Sequence, residues 1–180
     1  MRYAFLILLL AACAADDPAE RLTGLVADAY RVDYATVSFP DGERSDMVQY
    51  VLGERMRTDM EIDGVRMQIY YDGRNAHMCM EESDGWRCIP AAAGLFDRGT
   101  IELVEKDPSR FDIHDLPSRT IAGTRASCFG IVDAYSDVEY CLSEDGIPLL
   151  IRTRTDEGTV EMLAQRFARD VSESLFALPE

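Results

Sequence analysis

Apolar and polar residues alternate with a period of two over most of the chain, the spacing of strands that bury one face. The clearest stretch is 54–62, where Met56, Thr58, Met60 and Ile62 alternate with Arg55, Arg57, Asp59 and Glu61. Asp63-Gly64 is a two-residue hairpin turn, and beyond it Val65, Met67, Ile69 and Tyr71 alternate with Arg66, Gln68 and Tyr70. Pairing across that turn sets Met60 opposite Met67 and Ile62 opposite Val65. Asp72-Gly73 reads as a second turn of this kind, which sets Met67 opposite Met78 and Ile69 opposite Ala76. Upstream, Tyr30, Val32 and Tyr34 begin a strand, Pro40-Asp41-Gly42 turns the chain, and 45–52 forms the next strand. Downstream, Phe111 and Ile113 mark a short edge strand. From Arg119 strands resume, with turns at Gly123-Thr124, Ala134-Tyr135, Asp145-Gly146 and Glu157-Gly158. In 159–171, Val160, Leu163, Ala164, Phe167 and Val171 also fit a helical period. The short turn before them and the meander before that favour a strand, which is the expectation here.

Three stretches break the alternation. Asp16-Asp17-Pro18 supplies a carboxylate cap and a proline at the first helical position. Leu22, Leu25, Val26 and Ala29 follow at helical spacing, so a short helix is expected there. The stretch 89–110, with Pro90, Ala91, Ala92, Ala93, Leu95, Phe96, Ile101, Leu103 and Val104, predicts one or two short helices ending before Pro108. The N-terminus has Arg2, an apolar run over 3–10, two alanines and Cys13. The sequence Leu10-Ala11-Ala12-Cys13 resembles the lipobox of bacterial lipoprotein signals. That resemblance implies cleavage before Cys13, lipidation of Cys13 and a membrane anchor. The apolar run is shorter than the roughly 20 residues a membrane-spanning helix needs.

Cysteine usage follows from this. Of five cysteines, setting aside Cys13 leaves Cys79, Cys88, Cys128 and Cys141. An even count outside the cytoplasm points to disulfides. A loop over 82–85 places Cys79 opposite Cys88. A loop centred on Ala134-Tyr135 sets Phe129 opposite Tyr140, Ile131 opposite Val138 and Cys128 opposite Cys141, with the cysteines on the face away from the large apolar side chains.

Charge narrows the partners. The formal net charge is −15, or −16 without Arg2, which disfavours nucleic acid and anionic headgroups. Any membrane link is then expected through Cys13. The processed chain, about 168 residues, suits one domain. There is no Cys-x-x-Cys, EF-hand loop or Gly-x-Ser-x-Gly, and His77 and His114 have no partner at metal-ligand spacing. No cofactor, metal site or catalytic residue is expected.

The order helix, strands, helical insert, strands resembles the LolA/LolB superfamily, including the mycobacterial lipoproteins of the LppX and LprG type. The lipobox, the Gly123 turn, Asp145-Gly146-Ile147-Pro148-Leu149 and the closing Phe176-Ala177-Leu178-Pro179 carry the resemblance in detail. It implies an α+β fold: an incomplete antiparallel barrel of about 10–11 strands with short helices against its concave face. It also implies carriage of lipids or lipid-modified proteins through the cell envelope, at the outer membrane or another extracytoplasmic face. Two departures are the anchor, which the family's soluble carrier lacks, and the two local disulfides. The expected organisation is a signal peptide over 1–12, a lipidated tether over 13–17 and one LolA-like half-barrel over 18–180.

The apolar face is rich in methionine, a side chain that adapts to varied ligand shapes. The expected lining for an acyl chain is Met56, Met60, Met67, Ile69, Met78, Phe129, Ile131 and Tyr140. The insert over 90–106 is expected to gate it. The same residues would serve as plain core if the chain were a structural or sensory envelope module acting through protein partners.

Overall fold

The computed structural model describes residues 17–91 and 100–179. Cys13 and 92–99 of the insert lie outside the described residues. Asp17 accepts from Ala19 N at 2.9 Å and caps helix α1 (Pro18–Gly24). The chain then forms β1 (Ala29–Phe39), β2 (Arg44–Leu52), β3 (Arg55–Ile62), β4 (Val65–Tyr71), β5 (Ala76–Glu82) and β6 (Gly85–Ala91). Helix α2 (Thr100–Lys106) and a 3-10 turn over Pro108–Arg110 follow. The remaining strands are β7 (Asp112–Ile121), β8 (Thr124–Val132), β9 (Asp137–Ser143), β10 (Pro148–Thr155) and β11 (Gly158–Ala168).

All eleven strands lie in one antiparallel sheet, in the order β6-β5-β4-β3-β2-β1-β11-β10-β9-β8-β7. Every neighbour is a sequence neighbour except β1 and β11, which join at the centre and bring the two ends of the domain together. The sheet does not close; β6 and β7 are its edges. It is therefore an open half-barrel, as the resemblance implied, and the segment over 159–171 is the strand β11 through Ala168.

Two buried clusters hold the sheet. In one, α1 supplies Leu22 and α2 supplies Ile101 and Val104, which pack with Phe129, Ile131, Val138, Tyr140 and Leu142 of β8 and β9. The helices thus cover one half of the apolar face. The second contains Tyr30, Val32 and Tyr34 of β1, Val51 of β2, and Cys128, Cys141 and Leu150. Buried apolar area of this kind contributes roughly 25 cal/mol per Å2.

Three local expectations change. Asp72-Gly73 is not a two-residue turn. The Asp72 carboxylate accepts from Arg74 N at 2.9 Å and Asn75 N at 2.7 Å, and Asp72 N donates to Asn75 O, so the loop runs over four residues. Met67 then stands opposite Met80, and Ile69 opposite Met78. The shift is an even number of residues, so every side chain keeps its face. Second, the strand pattern persists past Ile89: β6 runs to Ala91 and includes Pro90, which an edge strand tolerates. Third, Phe111 to Ile121 is not a short strand followed by a new one. A single edge strand runs over 112–121, with an irregularity between Leu116 and Arg119 where Pro117 sits.

Candidate functional site

Cross-strand register builds the face opposite the helices row by row. Tyr30, Val51, Met56 and Tyr71 stand opposite one another on successive strands. The next row toward the β3–β4 turn is Val32, Gln49, Thr58, Ile69, Met78 and Ile89. The row beyond is Tyr34, Met47, Met60, Met67 and Met80. Four half-buried methionines thus lie side by side across β2 to β5. Met is not a favoured strand former; its use here suits a surface that must adapt.

A cavity of about 290 Å3 lies where α2, the link after α1 and the sheet meet. Val26, Ala27 and Ile101 form its helix side. Tyr30, Val51, Met56, Ile151, Met162 and Tyr140 form most of its sheet side, with Gln49 and Thr153 among them. Gly53, Glu54, Arg55 and Thr100 are the polar end, beside the β2–β3 turn. The volume falls near the lower edge of the ~300–1,000 Å3 typical of small-molecule pockets. Arg55 is held from outside: it pairs with Glu173 at 3.2 Å and lies over the Phe176 ring at 5.2 Å. Arg57 of the same strand donates to Leu175 O at 2.9 Å. The C-terminal Phe176-Ala177-Leu178 stretch therefore docks against β3, next to the cavity end.

Tyr30 and Tyr140 line the cavity, and Tyr34 neighbours them. Tyr34 is buried and donates to Pro148 O at 2.8 Å. Burial, then the neighbouring Tyr30 and Tyr140, hold its phenol well above the ordinary tyrosine range. Burial, then Tyr30, does the same for Tyr140. Both stay protonated, as neutral phenols, near neutral pH.

The expected lining residues divide into three groups. Met56 and Tyr140 line the cavity. Ile69 is buried, and Met60, Met67 and Met78 are half-buried on the same face, outside the cavity. Phe129 and Ile131, each 1% exposed, are packed under the helices and form core. Sequence reasoning missed Met162 and Ile151 of the cavity lining and Met47 of the methionine row outside it. Met47 was legible through its register with Met60; Met162 and Ile151 depend on the pairing of β10 with β11 and of β11 with β1.

The other face carries the cysteines and ion pairs, with Cys128 and Cys141 buried in the second cluster. Cys79 is bonded to Cys88, and Cys128 to Cys141. Cys128, Cys141 and Glu139 are the one group of metal-ligand type among the described residues, but both thiols are consumed in the disulfide. Glu139, 4% exposed, lies 2.7 Å from both Arg119 and Arg152.

No family model matches the sequence, and no curated protein does. Solved structures do match. MucB superposes with a TM-score of 0.61 at 15% identity, over 93% of this chain and 64% of MucB. The complex of MucA and MucB from Pseudomonas aeruginosa matches with a TM-score of 0.61 at 14% identity, over 90% of this chain and 61% of that one. LprF from Mycobacterium bovis matches with a TM-score of 0.53 at 9% identity, over 87% of this chain and 91% of LprF. The chain spans about three-fifths of the MucB chains it resembles. The open antiparallel half-barrel with helices on its apolar face, shared with MucB and LprF, is the LolA-like fold.

Proposed function

We propose that this protein is an envelope lipoprotein that holds an acyl chain, from a lipid or a lipid-modified protein, against the apolar face of its half-barrel. The observation that carries this is the 290 Å3 cavity left between the helices and the sheet, adjoining the rows of methionine. Among the described residues the helices fill the β8–β9 half but not the β2–β5 half, whereas a sheet face needed only as core would be filled throughout. The chain would enter beside Met56 and Met162, and a longer one would extend over Met47, Met60 and Met67. Two disulfides support a compartment outside the cytoplasm. The lipobox supports an anchor at Cys13, with 13–17 as tether and 18–180 as the binding domain.

The test is extraction of gently purified protein with organic solvent, followed by mass spectrometry. A stoichiometric acyl lipid is the expected result. Protein free of lipid that also fails to take up added lipid would overturn the proposal.

A second reading has its own observation. MucB, similar in fold, is known in complex with MucA. On that reading the same apolar face would receive a protein segment, and cross-linked partners rather than lipid would be recovered.

A further inference from the structure

Two polar side chains of the cavity wall have an obvious employment: the Gln49 amide lies 3.2 Å from Met56 Sδ, and Arg55 is paired with Glu173. Tyr140 is different. It is 8% exposed and lines the cavity, yet among the described residues its hydroxyl makes no hydrogen bond. Its cross-strand neighbours are apolar: Ile151 stands directly opposite on β10, and Met162 opposite Ile151 on β11, while Tyr30 is its polar neighbour in the cavity lining.

Buried polar groups are ordinarily satisfied, and an unpaired one calls for an explanation. A phenol kept neutral by burial offers a proton and has no charge to attract a cation. A ligand made only of hydrocarbon would leave it unpaired. A ligand with a carbonyl oxygen at the right depth would satisfy it while its chain fills the space beside Val51, Met56 and Met162.

We propose that Tyr140 is a ligand-positioning residue that donates a hydrogen bond to the carbonyl of an acyl ester or acid seated in this cavity. This rests on the acyl-binding reading above and sharpens it: the site selects an acyl group, not merely an apolar chain.

The test uses the full chain, wild type and Tyr140→Phe, with methyl laurate and pentadecane as probes, both titrated against a bound apolar fluorophore. The two probes have similar length and differ in the ester. Tyr140→Phe is expected to weaken methyl laurate about tenfold, or 1.4 kcal/mol, and to leave pentadecane unchanged. The melting temperature should not fall, because the hydroxyl loses no protein partner; Tyr34→Phe, which does lose one, serves as the control that lowers stability without selecting between probes. Unchanged binding of methyl laurate to Tyr140→Phe would overturn the assignment and leave the cavity reading standing. Equal weakening of both probes would do the same, since the effect would then be one of shape. Failure of both probes to bind the wild type would overturn the cavity reading itself, and this inference with it.

Discussion

A methyl group placed on Gly146 would lie 1.2 Å from the Leu25 carbonyl oxygen and 2.8 Å from Ala27 N. The position has φ +77°, and Ala27 N donates to Gly146 O at 3.0 Å. The β9–β10 turn is thus pressed against the link that joins α1 to β1, and that link supplies Val26 and Ala27 to the cavity wall. Next to it, Pro148 O takes the Tyr34 hydroxyl. The run Asp145-Gly146-Ile147-Pro148-Leu149 therefore has a structural use that spacing alone does not reveal: it docks the first helix. Gly146→Ala is expected to cost about 2–4 kcal/mol, through both the left-handed backbone and the clash. A urea titration measures it, and a loss below about 1 kcal/mol would show that the link yields easily.

At the scale of elements, each hairpin carries its own register. The β5–β6 turn sets Cys79 opposite Cys88, and the β8–β9 loop sets Cys128 opposite Cys141. In the second loop Asp133 accepts from Tyr135 N at 2.8 Å and Ser136 N at 2.7 Å. These bonds hold its carboxyl below the usual range, the Tyr135 bond contributing most. The bridges span 9 and 13 residues and should each contribute about 2–3 kcal/mol by loop closure. Replacing both cysteines by alanine should cost more at Cys128 and Cys141, where the loop is longer and both side chains are buried, than at Cys79 and Cys88, where Cys88 is half-buried. Paired denaturation curves of the two double variants check the order. Equal losses would mean that neither the longer loop nor the burial of Cys128 and Cys141 adds measurable stability.

For the whole molecule, the central pairing of β1 with β11 makes one sheet from the first and last strands. Among the described residues, helices α1 and α2 then cover the β8–β9 half and leave the β2–β5 half with its methionines half-buried. The asymmetry of that cover is what creates a cavity. The proposed anchor at Cys13 belongs to this scale too, since it would hold the half-barrel near a membrane surface. Cys13→Ala is expected to move the protein from the membrane fraction to the soluble fraction. Unchanged membrane association would count against lipidation at Cys13.

The sequence by itself determined the elements that local chemistry can specify. Period-two alternation marked the strands, and Asp63-Gly64 set the β3–β4 register, because a two-residue turn leaves no choice of pairing. It also marked the disulfide partners, because short loops allow only one register. Where a loop's own hydrogen bonds compete, as Asp72 does with Arg74 and Asn75, the turn residues alone misplaced the partners by two positions. Only the tertiary structure decided which apolar residues are core and which line a cavity. Phe129, Ile131 and Tyr140 look alike in the alternation, yet α1 and α2 bury the first two while Tyr140 reaches the cavity wall. That outcome depends on helices distant in sequence docking on one half of a shared sheet, and no local pattern encodes where they stop.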